Sequence, residues 1–165
     1  MEFTTIVLEN KSCSVIIKSN VKYDMFSIFP DLLFIKENNV FKVDEGNQFY
    51  DFIGDQGPLK FMSERFKNLL EDNAITGLDF FPKIIENSEL KYFGFVKKST
   101  INSFCEYDED GDSVYGTFEI DMDSWDGSDI FSLKDSGATV CTQRVREIIE
   151  KAKISNIEFR DLTKY

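Results

Sequence analysis

The sequence predicts an α+β fold: a mixed, mostly antiparallel sheet with helices on one face, containing two repeated strand-helix-strand units. The chain has 165 residues, which fits one domain covering residues 1–165. Apolar residues make up 42% of the chain, enough to build a core. Segments with helical apolar periodicity, each followed by two-residue alternation, occur twice, and they give the repeated units.

The N-terminal part of the chain predicts short strands. Runs of β-branched and aromatic residues separated by turn-forming residues are typical of strands. The predicted strands cover residues 5–8, 14–17, 25–29 and 40–43.

An internal repeat spans residues 57–84 and 136–163. Residues 63–80 align with residues 142–159 at a constant offset of 79, and Arg, Glu, Ile and Phe recur identically at four of the 18 positions. Each helix follows a short strand-like run, at residues 59–62 in the first copy. The repeat therefore predicts strand, helix and strand in both copies.

Each copy contains the signals that begin and end a helix. Ser63 and Thr142 are residue types that cap a helix N-terminus. Gly77 and Asn156 tolerate the left-handed conformation expected where the helix ends. If Gly77 has a positive φ, Gly77→Val should cost about 1 kcal/mol or more. The repeated positions serve packing and backbone geometry, which favours a structural module over a catalytic one.

A β-hairpin is predicted between the two copies. Residues 101–107 and 113–120 have strand character and flank Asp110-Gly111, a sequence typical of a type I′ turn.

The charge balance favours a binding protein. The chain has 30 acidic and 19 basic residues, a net charge of −11, and no histidine. Ser-His-Asp and Cys-His catalysis and histidine-ligated zinc are therefore excluded. The negative charge disfavours nucleic acid and anionic membranes as partners and favours a basic protein. The alternative is that acidity only keeps the domain soluble.

The cysteines predict a reducing compartment. Cys13, Cys105 and Cys141 are odd in number and far apart, and each lies among apolar residues, so we expect buried free thiols. The N-terminus has no leader-like pattern and no apolar run is long enough to span a membrane, so a cytoplasmic protein is expected.

Two acidic groups are candidate sites. Residues 106–112 approach the pattern of a calcium-binding loop, but Thr117 stands where the bidentate Glu belongs, which favours a solvated hairpin tip. The group Asp121, Asp123, Asp126 and Asp129 could bind Mg²⁺ or act in acid–base chemistry, although Asp side chains that cap backbone donors are favoured. Trp125 is either a core residue or an interface anchor.

These residues resemble a known family. The stretch from Ser63-Glu64-Arg65 through Thr76-Gly77 to Pro82, together with Trp125-Asp126-Gly127-Ser128-Asp129 and the second copy, resembles the signature of bacterial immunity proteins from polymorphic toxin loci, a family formerly described as a domain of unknown function. The resemblance covers residues 57–165. The second copy departs from the pattern, with Gln143 at a usually acidic position and no proline after Phe159.

The resemblance implies a non-enzymatic protein that binds and neutralises a cognate toxin by occluding its active site. It implies no catalytic residue, metal or cofactor. The partner expected is a toxin domain with a basic surface. We place the contacts on Asp108, Glu109, Asp110, Asp112, Asp121, Asp123, Trp125 and Asp126. The alternatives are a carboxylate-based, metal-dependent hydrolase of phosphate esters and a regulatory binding module.

Overall fold

The computed structural model of the chain describes residues 2–23, 37, 39–112, 114, 116–134 and 136–162. These residues form an α+β fold with mostly antiparallel strand pairing, as predicted. The helices are α1 (Glu64–Asp72) and α2 (Gln143–Ala152). The strands are β1 (Phe3–Leu8), β2 (Ile16–Ser19), β3 (Val40–Glu45), β4 (Phe52–Asp55), β5 (Lys60–Ser63), β6 (Leu78–Ile85), β7 (Tyr92–Lys97), β8 (Thr100–Ile101), β9 (Ser103–Phe104), β10 (Glu119–Ile120), β11 (Ile130–Leu133), β12 (Thr139–Thr142) and β13 (Ile157–Asp161). The strand predicted at 25–29 lies outside the described residues.

The strands form three sheets where one was predicted. Six strands close into a barrel in the order β2-β3-β6-β7-β5-β4, five form a sheet in the order β13-β1-β12-β11-β8, and β9 pairs with β10 alone. The barrel closes because β3 pairs in parallel with β6, while β2 pairs in parallel with β4. The prediction of a single sheet was therefore wrong, although its mixed and mostly antiparallel character is correct.

Strands flank each helix along the chain: β5, α1 and β6 lie within residues 60–85, and β12, α2 and β13 lie within residues 139–161. Ser63 caps α1 as expected, since its hydroxyl accepts the N–H of Phe66 at 3.1 Å. Thr142 occupies the same place before α2, but its side chain makes no capping bond. Its hydroxyl donates instead to Asp129, at 3.4 Å.

The helices end earlier than the sequence suggested. Ala74, two residues after the end of α1, and Lys153, directly after α2, take the left-handed conformation, with φ of +50° and +53°. Gly77 and Asn156 also have positive φ, +103° and +64°, but they lie three residues further on, immediately before β6 and β13. The positive φ predicted for these two residues is therefore confirmed, whereas their assignment as helix ends is wrong.

The core formed by the described residues consists of three apolar clusters. A shared cluster lies between the two helices and the strands beneath them, and it includes Phe66 of α1 and Val145 of α2, both fully buried. A second cluster fills the barrel. The third covers the other face of the five-stranded sheet. Because side chains alternate along a strand, β5 sends Phe61 into the barrel and Met62 into the shared cluster.

The hairpin differs from its prediction. Its named strands are short: β9 and β10 pair with Phe104 opposite Glu119, and nearer the tip the N–H of Val114 donates to the carbonyl of Glu106 at 2.8 Å. At the tip, the N–H of Gly111 donates to the carbonyl of Asp108 at 3.1 Å. Gly111 has a positive φ of +85°, but Asp110 does not, so the expected type I′ turn is not formed.

The thiols also differ in part. Cys141 is buried and Cys105 is half-buried, but Cys13 is exposed in a turn before β2 with a φ of +62°. All three are free. Among the described residues, neither helix has the length and apolar character needed to cross a membrane.

Candidate partner-binding site

The most strongly charged part of the molecule is the segment 102–126, here called the acidic lobe. It has nine carboxylates and no lysine or arginine. The other 140 residues carry 21 acidic and 19 basic side chains and are close to balanced. The carboxylates of the lobe are Glu106, Asp108, Glu109, Asp110, Asp112, Glu119, Asp121, Asp123 and Asp126.

The carboxylates of the acidic lobe face solvent without cationic partners. Asp121 is half-buried and the other eight are exposed. Within the described part of the chain, none of the nine forms an ion pair, although nine ion pairs occur elsewhere. The negative potential of this lobe is therefore not neutralised by the protein itself.

Short local hydrogen bonds hold several of these side chains in place. The carboxylate of Asp108 accepts the N–H groups of Asp110 and Asp112, at 3.0 and 2.9 Å. That of Asp121 accepts the N–H of Asp123 at 3.1 Å. These bonds are the backbone capping favoured over cation binding. No described group of three or more Cys, Asp or Glu residues is placed to hold a metal ion.

Asp126 is held separately, at the end of the lobe. Its carboxylate accepts the N–H of Ser128 at 3.0 Å and the hydroxyl of Ser99. Hydrogen bonds from Ser128 and from Ser99 hold the pKa of Asp126 below its usual range. Asp126 therefore keeps its charge under more acidic conditions than an ordinary aspartate.

Exposed apolar side chains accompany the carboxylates. Phe104 is 62% exposed, Tyr107 59% and Met122 49%. Three of the six large apolar side chains that are exposed in the described residues therefore lie in a segment of 25 residues. Aromatic and methionine side chains are enriched in protein interfaces, so the lobe has both the charge and the apolar surface of a docking site.

Trp125 attaches the lobe to the five-stranded sheet. Its ring meets Phe3 edge to face at 5.5 Å between centroids. Its indole N–H donates to the carbonyl of Ser128 at 3.0 Å, and it packs with Ile120 on the third core cluster. Of the eight residues predicted to contact a partner, Trp125 is the one with a packing role visible in the structure.

Two carboxylates outside the lobe organise larger polar networks. Asp51, which precedes β4, accepts the hydroxyl of Ser63 at 2.9 Å and a guanidinium N–H of Arg65 at 2.6 Å. It also accepts the N–H and the hydroxyl of Ser155, at 3.0 and 2.9 Å. Arg65 donates a further bond to the carbonyl of Ala152 at 2.5 Å.

Asp129, which precedes β11, forms the matching network. It accepts a guanidinium N–H of Arg144 at 3.1 Å, and the N–H and hydroxyl of Thr76 at 3.0 and 3.1 Å. Arg144 also donates to the carbonyl of Asn73 at 2.5 Å. Asp129 was grouped by sequence with the acids of the lobe, but the structure pairs it with Arg144 instead.

Sequence reasoning did not assign these two networks. One signal in the sequence pointed to them: Arg65 recurs as Arg144 at the offset of 79. An arginine found at the same place in both copies suggests that each copy also holds a carboxylate to pair with it. The aspartates that supply this partner lie 14 and 15 residues upstream, outside the aligned stretch.

No protein-family model matches the chain, and no curated protein matches it significantly. The fold and the site define an α+β protein with an acidic lobe. The carboxylates of this lobe form no ion pair with the described residues, and the lobe exposes three large apolar side chains.

Proposed function

We propose that this chain is a cytoplasmic immunity protein that binds a cognate antibacterial toxin and neutralises it by occluding the toxin's active site. The observation that carries the proposal is the acidic lobe, in which nine carboxylates form no ion pair with any described residue and lie in the same segment as three exposed apolar side chains. The sequence resemblance to immunity proteins supplies the class of partner.

The charge of the lobe supports a basic partner. Like charges in one short segment repel one another, and neutralising them within the chain would be the simplest way to gain stability. The lobe instead leaves them unpaired in water, where they attract a positively charged surface from a distance and speed association. Asp126 adds to this field over a wide pH range, because hydrogen bonds lower its pKa.

The apolar side chains support a protein as the partner. Phe104 lies at the base of the hairpin, opposite Glu119, and its ring is largely in water. Burying such a ring on association stabilises a complex by roughly 25 cal/mol for each Å² removed from water. Binding energy in protein interfaces is concentrated on a few such side chains.

The first experiment separates the lobe from the rest of the surface. Glu109→Lys with Asp110→Lys changes two exposed charges whose carboxylates hold no backbone group; Asp108 is left intact because it holds the turn. The matched control is Glu86→Lys with Glu89→Lys, two exposed acids outside the lobe. The probe is the toxin domain encoded next to this chain, with association rates measured from 50 to 500 mM salt, which shortens the Debye length from about 14 to 4 Å.

We expect the lobe variant to associate at least about tenfold more slowly at 50 mM salt and to lose most of its salt dependence, while the control keeps both. Equal behaviour of the two variants would exclude the acidic lobe as the contact surface. Failure of the unmodified chain to restore growth on co-expression with the toxin, or to co-purify with it, would reject the immunity function itself.

A second pair of variants tests the apolar contact. Phe104→Ser and Ile84→Ser remove side chains that are 62% and 63% exposed, one inside the lobe and one on β6. We expect Phe104→Ser to dissociate at least about tenfold faster from the toxin with an unchanged salt dependence, and Ile84→Ser to match the unmodified chain. The reverse order would place the contact on the barrel.

A further inference from the structure

We infer that the whole described chain is a tandem duplication whose two halves have exchanged their first strands, and that the networks of Asp51 and Asp129 are two equivalent joints between those halves. The first half runs from β1 to β6 and the second from β7 to β13. This goes beyond the repeat seen in the sequence, which covered only the strand-helix-strand segments.

The strand orders of the two halves correspond. Five strands of the barrel follow one another as β6-β7-β5-β4-β2, and the five-stranded sheet runs β13-β1-β12-β11-β8. In both series the first three pairings are antiparallel and the last is parallel. β3 and β10 complete the correspondence, because β3 pairs antiparallel with β2 and β10 pairs antiparallel with β9, the strand after β8.

The registers correspond residue by residue. In the barrel Tyr92 pairs with Ser63, and in the five-stranded sheet Phe3 pairs with Thr142. β7 is therefore offset from β1 by 89 residues, and β5 from β12 by 79. The pairings with the strand after the helix have the same two offsets, because Lys97 pairs with Leu78 and Leu8 pairs with Ile157. A register shared over two neighbouring pairings in each half is specific, because a slip of one residue would turn every side chain to the other face.

The exchange follows from where each first strand lies. β1 opens the first half but lies between β12 and β13 of the second. β7 opens the second half but lies between β5 and β6 of the first. Each half therefore lacks the central strand of its own helix-bearing unit and receives it from the other.

The two carboxylate networks lie where the halves meet. The carboxylate of Asp51 accepts hydrogen bonds from Ser63 and Arg65 in its own half and from Ser155 in the other half. Arg65 also reaches the other half, at the carbonyl of Ala152.

The network of Asp129 repeats this arrangement in the opposite direction. The carboxylate of Asp129 accepts hydrogen bonds from Thr142 and Arg144 in its own half and from Thr76 in the other half. The partners of the two aspartates correspond at the offset of 79. The corresponding pairs are Ser63 and Thr142, Arg65 and Arg144, Asn73 and Ala152, and Thr76 and Ser155. Each joint therefore uses the same chemistry, with the halves interchanged.

Double-mutant cycles on the full chain test the joints. Asp51→Asn and Asp129→Asn should each lower the urea midpoint of unfolding by about 1 M, while Asp79→Asn, an exposed ion-paired aspartate, should lower it by less than about 0.3 M. Asp51→Asn with Ser155→Ala should lose at least about 0.3 M less than the sum of the two single losses, because both belong to one joint. Asp51→Asn with Thr76→Ala should be additive, because they belong to different joints.

The inference on the joints is overturned if the pair within one joint is additive, or if either aspartate variant behaves like Asp79→Asn. Ser155→Ala and Thr76→Ala are the milder variants, and they decide the question if an aspartate variant does not fold. Their single losses should then agree within about 0.3 M, and a loss confined to one of them counts against equivalence.

A circular permutant tests the duplication separately. Thr4 pairs with Asp161, so the two ends of the described chain are adjacent and a short linker from residue 165 to residue 1 can join them. Opening the chain between residues 86 and 91, in the exposed connection from β6 to β7, puts the new ends next to β6 and β7, the strands that correspond to β13 and β1. We expect cooperative unfolding within about 1 M urea of the parent, and a permutant without cooperative unfolding overturns the equivalence of the halves.

Discussion

Replacing Gly77 by alanine should strongly destabilise the protein, because the added methyl group would meet backbone atoms of a neighbouring strand. Gly77 has a φ of +103°, and a Cβ added there would lie 1.9 Å from the carbonyl oxygen of Ile130. The obstacle is backbone of β11, which cannot rotate away as a side chain would. The neighbouring N–H of Ile130 donates to the carbonyl of Thr76 at 3.1 Å, so this approach is part of the contact between the halves.

The expected cost has two parts. The unfavourable φ costs about 1 to 3 kcal/mol for an L-residue. Moving the two backbones apart also stretches the bond from Ile130 to Thr76 and those from Thr76 to Asp129, at about 1 kcal/mol each. We therefore expect a loss of roughly 4 to 6 kcal/mol for Gly77→Ala, with a larger side chain such as valine costing at least as much.

The assay is urea unfolding followed by circular dichroism, with the slope m compared between variants. Gly111→Ala is the matched control, because Gly111 has a φ of +85° but no atom within 4 Å of an added Cβ. It should lose only the cost of the backbone angle. If Gly77→Ala costs no more than Gly111→Ala, the close approach to β11 contributes nothing and the reasoning is refuted.

Two further expectations concern single side chains. Burial lowers the pKa of Lys97 from 10.5 to about 8, so the folded chain releases a proton that the unfolded chain retains, and stability should rise between pH 8 and 10. Lys97→Met should remove up to about 3 kcal/mol of that rise, whereas the exposed Lys98→Met should leave it intact; identical pH profiles would contradict the burial argument. A thiol reagent should label the exposed Cys13 at least about a hundredfold faster than Cys141, whose pKa burial raises to about 12, and unfolding should remove the difference.

Sequence reasoning succeeded where the signal is local. The helices and their flanking strands were predicted because apolar periodicity is a property of neighbouring residues, and Ser63 was identified as a cap because the capping bond spans three residues. Cys13 was misjudged for the same reason, since its apolar neighbours are buried while the residue itself lies in a turn with positive φ.

The parts that could not be predicted depend on contacts between distant residues. The closure of the barrel requires a parallel pairing of Val40 with Ile84, which leaves no mark on the sequence around either residue. The bond between Asp51 and Ser155 joins residues 104 positions apart. The acidity of the lobe can be read from the sequence, but the exposure of Phe104 depends on its place in the two-stranded sheet that the described residues form from β9 and β10.

Among the described strands, β9 and β10 pair with each other and with neither of the larger sheets. The exposed surface of the hairpin and the stability of the fold therefore depend on different residues. The hydrogen bonds that close the turn at the hairpin tip join Asp108 to Asp110, Gly111 and Asp112, so a replaced tip would disturb neither the barrel nor the shared cluster. If the acidic lobe is the contact surface, as proposed, residues 105–112 can change what the protein binds while the barrel and the shared cluster stay the same. A chain with an exchanged tip should therefore unfold at the same urea concentration as the parent.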